Sequence, residues 1–112
     1  MSSTELQQLE HSMKQAQKLV DLGDSLERLR NNRDFKKIFI EGYFEAEAIR
    51  LVHLRADSNM QSVDSRKAID AQIDAIGTVN QYLQTISIQA HMAGRSLDAD
   101  EQFRIELLAE GE

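Results

Sequence analysis

The sequence predicts an all-α fold, an antiparallel bundle of three long helices plus a short C-terminal helix, and three observations carry that prediction. The 112-residue chain contains no proline. Its five glycines stand alone, at Gly23, Gly42, Gly77, Gly94 and Gly111, so strong breakers of regular structure are few. Between the breaks, apolar residues recur in steps of three and four, which keeps one stripe of a helix facing a neighbour. A chain of this length supports one core, and a single helical domain over residues 1–112 is expected.

The first helix is expected over residues 3–30. Ser2 and Glu5 fit a capping box, in which each side chain accepts from a backbone N–H left free at the helix start. Leu6, Leu9, Met13, Ala16 and Val20 form its stripe. A second series, Leu19, Leu22, Leu26 and Leu29, lies on a face shifted by one position, and the run of threes from Met13 to Leu22 is a stammer that overwinds a coiled coil locally. Gly23 sits at this shift and costs roughly 1 kcal/mol against alanine in a helix interior. A bend over Val20 to Asp24 would fit.

Asn31-Asn32-Arg33-Asp34 makes the first break, because Asn can end a helix in the left-handed conformation and Asn or Asp can cap the next one. The central helix follows over residues 33–56 and holds Phe35, Phe39, Tyr43 and Phe44, with only Tyr82 and Phe103 aromatic elsewhere. Aromatic side chains bury the most area per residue, so the core is expected around this segment. One face carries Phe35, Ile38, Phe39, Gly42, Ala46, Ile49 and Val52, and another carries Ile40, Tyr43, Phe44, Ala48, Leu51 and Leu54. Two apolar faces imply neighbours on two sides. The rival reading pairs Lys37 to Ile40 with Tyr43 to Glu45 as a β-hairpin about Glu41-Gly42. It is disfavoured because neither arm alternates cleanly and the helix-favouring Glu45-Ala46-Glu47-Ala48 follows without a break.

The second break is Asp57 to Ser62, rich in residues whose short side chains bond local backbone groups, with Ser62 capping the third helix over residues 63–94. Its seam reads Ile69, Ile73, Ile76, Asn80, Leu83, Ser87 and Ala90, with Val79, Tyr82, Ile86 and Ala93 beside it. Asn80 either sets register or oligomeric state within a coiled-coil seam or sits at its wet edge. Gly94 fits the position just past a helix end. A short fourth helix, capped by Ser96 or Asp98, is then expected over residues 97–110 with Phe103, Leu107 and Leu108 as its apolar edge. In this arrangement the third helix projects about 10 Å beyond the second, at 1.5 Å per residue. The overhang would expose Ile86, Ala90 and Ala93 unless a partner covered them, so a homo-oligomer is expected.

Charge and composition narrow the function. Of the net charge of −6, the stretch from Ser96 to Glu112 supplies −5 and the remainder only −1. A nearly neutral body with an acidic C-terminus argues against a globally basic nucleic-acid binder but leaves room for a local patch. Without cysteine there are no disulfides and no thiolate metal ligands. The N-terminal residues lack the pattern of a secretory signal, and no run approaches the ~18 apolar residues of a membrane span, so a soluble, cytoplasmic protein without a membrane partner is expected.

Reaction chemistry finds little equipment. The isolated glycines do not form a phosphate-binding loop. Gln8, Arg50 and Ile88 stand three residues before His11, His53 and His91, so the Glu-x-x-His pairs of di-iron bundles are missing. No serine lies in an elbow-like context. Glu41 with Glu45, and Asp70 with Asp74, have helical i, i+4 spacing and would suit a divalent cation if the faces met, but they read more simply as solvated pairs. A non-enzymatic chain with no cofactor and no metal is expected. The one concentrated positive feature is Arg28, Arg30, Arg33, Lys36 and Lys37, beside Phe35 and the free N–H groups of a helix start, an arrangement suited to an anion or nucleic acid. The ordinary reading gives Arg28 and Arg30 to the negative end of the first helix and Lys36 and Lys37 to the wet face of the second.

Asn32-Arg33-Asp34-Phe35-Lys36-Lys37, Glu41-Gly42-Tyr43-Phe44, Ala48 to Val52 and Ala56-Asp57, with Ala75-Ile76-Gly77 and Gln81-Tyr82-Leu83, resemble short helical proteins of tailed bacteriophages. The resemblance covers residues 32–92 and carries no residue roles. It implies a setting in the host cytoplasm or the virion, as a virion, head-assembly or packaging part or an inhibitor of a host protein. The expected function is that of an oligomeric assembly protein contacting its own copies and a larger protein through helix faces, with Phe35, Phe39, Tyr43, Phe44, Ile76, Asn80 and Leu83 as core or interaction residues. The alternatives are a nucleic-acid-associated packaging or regulatory factor using Arg28 to Lys37, and a phage inhibitor of a host protein.

Overall fold

The computed structural model describes residues 3–111, so Ser2 and the capping box it begins lie outside the described residues. The architecture is all-α, with no strand among the described residues, and the hairpin reading of Lys37 to Glu45 falls away. Helix α1 spans Ser3–Arg30 without interruption. The central helix, residues 33–56, is one run made of α2 (Arg33–Phe35), a π-helical segment (Lys36–Glu47) and α3 (Ala48–Ala56). A 3₁₀ turn at Ser58–Met60 leads to α4, Val63–Glu110.

Side-chain caps make both breaks. The Asn32 carboxamide oxygen accepts from the backbone N–H groups of Asp34 and Phe35, each at 3.0 Å, which starts the central helix. No described residue has a positive φ, so the expected left-handed Asn is not used. The end of α1 is closed instead by the Asn31 amide and side chain, both donating to the Glu27 carbonyl. At the second break Gln61 Nε2 donates to the carbonyls of Arg55 (2.9 Å) and Asp57 (2.7 Å), and Ser62 Oγ accepts from Ser65 N–H at 3.1 Å to cap α4.

The expected stop at Gly94 does not occur. Helix α4 runs 48 residues, about 72 Å at 1.5 Å per residue, and the separate helix expected over residues 97–110 is its continuation. Glycine ends a helix by adopting a left-handed conformation, and none here does. Beyond Gly94 the buried side of the helix continues through Leu97, Arg104 and Leu107. Burying that stripe outweighs the ~1 kcal/mol that one helical glycine costs.

The chain clusters into two compact units, Met1–Leu26 with Thr85–Glu112, and Glu27–Gln84. The first is an antiparallel helix pair, in which Arg104 faces Glu10 at 3.6 Å and Ala90 faces Gly23. From α1 it uses Leu6, Leu9, Met13, Ala16, Val20, Gly23 and Leu26, and from α4 Ile86, Ala90, Ala93, Leu97 and Leu107. Ile86 and Ala93 are buried, so the expected overhang of exposed apolar residues is covered by α1. Of the shifted leucine series only Leu26 is buried, while Leu19, Leu22 and Leu29 are exposed. The three-three step falls one turn later than its sequence position, at Val20, Gly23 and Leu26. No bend is needed there, because Gly23 serves the close approach to Ala90. Phe103 and Leu108 stay exposed and Leu107 alone docks.

The second unit packs the central helix antiparallel to the N-terminal part of α4, the arrangement a short connection favours. Leu51, Ile69 and Ile76 form its buried cluster, surrounded by Tyr43, Phe44, Ala48, Leu54, Met60 and Ile73. Arg55 and Asp70 close one end at 2.9 Å. The seam of α4 follows the expected Ile69, Ile73, Ile76, Asn80 and Leu83, with Asn80 and Leu83 half-buried, and then steps to Ile86 while Ser87 is exposed.

The segment Lys36–Glu47 is entered with an α-type bond, Lys36 N–H donating to the Asn32 carbonyl at 3.0 Å, and then winds as a π-helix, whose bonds span five residues in a wider turn than the α-helix and one that is uncommon beyond a single turn. The wider turn brings residues four apart nearly into register. Phe35 and Phe39 accordingly stack at 5.2 Å and 20°, and the ladder continues edge-on from Phe39 to Tyr43 at 6.2 Å and on to Phe44 at 5.5 Å.

Candidate interaction surface

The two apolar faces of the central helix have different fates. Tyr43, Phe44, Ala48, Leu51 and Leu54 join the core of the second unit, as the four-residue spacing from Phe44 to Ala48 and the three-residue steps to Leu54 dictate. The other face is open: Ile38 is 62% exposed, Phe39 42%, Ile49 58% and Val52 59%, with Ala46 exposed among them. A helix in a two-helix pair has one neighbour, so the second face predicted to need one does not have it among the described residues.

Charged groups rim this face. Arg50 grips Glu47 with two bonds, Nη2 to Oε1 at 2.6 Å and Nε to Oε2 at 3.0 Å. The hydrogen bond from Arg50 lowers the Glu47 carboxyl from its ordinary value, against an opposing effect of desolvation and with a lesser contribution from the charge of Arg50, and Arg50 is raised in return. With its folded pKa lowered, the Glu47 contribution is present above the ordinary carboxylate pKa and disappears as pH falls through the lowered value. Glu41 and Glu45 are exposed on the same helix.

The five cations of the sequence-derived patch separate. Arg33, Lys36 and Lys37 line one open cleft of about 510 Å³ with Asn31 and Glu41. Arg28 is exposed on α1 and does not line it. Arg30 is half-buried on the packed stripe of α1, with its Nε enclosed and unbonded. Asn32 already occupies two of the N–H groups at the helix start, and Glu41 brings a negative charge into the cleft. Phe35 is half-buried beside Phe39.

The acid pairs do not converge. Asp70 is bound to Arg55, and among the described residues no group of three or more His, Asp or Glu side chains could hold a metal ion. Among the same residues no helix is long and apolar enough to cross a membrane. A further apolar groove of about 430 Å³ lies in the first unit between Ala16 and Leu19 of α1 and Met92 and Ala93 of α4. Sequence periodicity hid it, because Leu19 reads as a stripe residue and Met92 belongs to no series.

No protein-family model matches the chain, and comparison with characterised proteins and with solved structures returns no match either.

Proposed function

We propose that this is a non-enzymatic helical assembly protein that works by self-association through apolar helix faces and presents the assembled surface to a larger protein. One observation carries the reading: apolar side chains are left outside in excess. Among the described residues seven apolar side chains are buried and fifteen large ones are exposed. Obligate homo-oligomer interfaces cover such side chains and resemble a domain core cut in half. The resemblance of residues 32–92 to short tailed-phage proteins supplies the setting of a virion, head-assembly or packaging part, and the antiparallel pairing within each unit supports the bundle architecture for the assembled form. Sedimentation at tens of micromolar is expected to give a multiple of the 12.8 kDa chain mass, and a monomer across that range would overturn the reading.

A second reading, contact with the phosphate backbone of nucleic acid, is favoured by the Arg33, Lys36 and Lys37 cleft. It expects a shift of labelled DNA at low salt that weakens steeply as salt rises, since cations displace condensed counterions. The combined Arg33→Ala, Lys36→Ala, Lys37→Ala variant should abolish that shift. No shift of the unaltered protein at low salt would end this reading.

A further inference from the structure

We infer that the π winding of Lys36–Glu47 is a positioning device, permitted by Gly42, that turns Lys37 out of the packed seam and into the cleft with Arg33 and Lys36, where it meets the phosphate backbone of nucleic acid. This rests on the second reading above and deepens it by naming what builds the cationic surface.

Heptad spacing shows what the winding changes. Leu51 is fully buried, and Phe44, seven residues before it, packs against the same cluster. Seven residues before Phe44 stands Lys37. In an α-helix supercoiled along a partner at about 3.5 residues per turn, all three would share one seam. Instead Lys37 is exposed and lines the cleft with Arg33, Lys36, Asn31 and Glu41, while the half-buried side chains of this stretch are Phe35 and Ile40. The steps from Phe35 to Ile40 and from Ile40 to Phe44 are five and four, in keeping with bonds that span five residues. Past Ala48, where α3 begins, the steps to Leu51 and Leu54 return to three. The winding thus keeps Phe35 half-covered and leaves in water a lysine whose burial unpaired would be costly.

Gly42 is the residue within the segment that leaves room for this. A Cβ there would stand 3.1 Å from the Lys37 carbonyl oxygen, closer than an ordinary van der Waals contact, and that oxygen is fixed in the backbone. Lys37 lies five residues back, so its carbonyl is the one that π bonding brings to residue 42, whereas α bonding reaches only four residues back. Alanine is also the strongest α-helix former. Gly42→Ala therefore disfavours the π winding on two counts. Rewound as an α-helix, the segment returns Lys37 to the seam and leaves the cleft to Arg33 and Lys36.

Two measurements on the full chain test this. The first follows the dissociation constant for a labelled DNA duplex over a range of salt, where each phosphate contact removed lowers the logarithmic salt slope by about one. Lys37→Ala is expected to weaken binding several-fold and lower the slope by about one. Gly42→Ala alters no charge and should do the same, and the double variant should lose no more than Lys37→Ala alone. The second reads the winding without DNA. Because the chain has no cysteine, Lys37→Cys and Lys36→Cys each give a single thiol. Lys37→Cys should react as an exposed thiol with Gly42 in place and at least tenfold more slowly when combined with Gly42→Ala, while Lys36→Cys reacts alike in both. A slow Lys37→Cys with Gly42 in place would overturn the π winding whatever Gly42→Ala does. Equal reactivity of Lys37→Cys in both backgrounds, additive losses of DNA binding, or a loss of helix content by circular dichroism in Gly42→Ala would overturn the positioning role and leave the nucleic-acid reading standing. No shift of DNA by the unaltered chain at low salt would overturn both.

Discussion

Leu51→Ala is expected to cost about 2–5 kcal/mol, the usual range for removing a buried isopropyl group from a site that cannot collapse. Leu51 has no accessible surface at all, and only Ile69 and Ile76 are buried with it in the second unit. A core of three fully or nearly buried side chains has no spare apolar contact to redistribute. Against a typical total of 5–15 kcal/mol for a whole domain, the loss should melt residues 27–84 far earlier than the unaltered protein. Urea unfolding followed by circular dichroism, at one fixed protein concentration because association shifts apparent stability, provides the measurement. The midpoint should fall sharply with little change in slope. Val52→Ala, one residue away on the open face, should stay within about 0.5 kcal/mol in the dissociated chain, as exposed substitutions do. Similar effects for the two substitutions would mean that the buried and open faces of the central helix have been interchanged.

That contrast marks where periodicity is informative and where it stops. Steps of three and four reveal that the central helix has two apolar faces, but each face is equally apolar on paper. Which one is packed depends on the crossing with α4 and on the π segment, a backbone choice with no sequence signature beyond an isolated Gly42. A cap within Asn31 to Asp34 and the cap at Ser62 were legible because their chemistry is local, a short side chain bonding N–H groups two or three residues away, and the structure assigns the first of them to Asn32. The end of α4 was not, because Gly94 reads identically whether it stops a helix or lets another pass, and only the stripe beyond it, buried against α1, decides. The cation cluster shows the same limit in charge. Arg28 to Lys37 is contiguous in sequence, yet a helix end and a cap intervene, and three of the five side chains share a cleft.

Gly23→Ala sets two effects of opposite sign against each other, and the structure says which wins. By intrinsic propensity the change should stabilise α1 by up to ~1 kcal/mol, since glycine loses more backbone freedom on folding than alanine. A Cβ at this position, however, would overlap the Cβ of Ala90 on α4. Neither atom can rotate away, because a Cβ is fixed by its own backbone, so the helices must separate along Val20 to Leu26. Overpacking of that kind typically costs 1–3 kcal/mol, and at roughly 4–8 °C per kcal/mol for a domain near this size the expected net result is a melting temperature several degrees lower. Gly77→Ala is the control on the same physics without the contact: nothing lies within 4 Å of its added Cβ, so it should raise the melting temperature by a few degrees. Placing Ala90→Gly in the Gly23→Ala background should recover most of the loss, although Ala90→Gly alone costs helix propensity, and that non-additivity is the signature of two groups in direct contact. If Gly23→Ala instead stabilised the protein as Gly77→Ala does, the close approach of α1 and α4 at Ala90 would be wrong. The antiparallel pairing of the first unit would then have to be drawn in a different register.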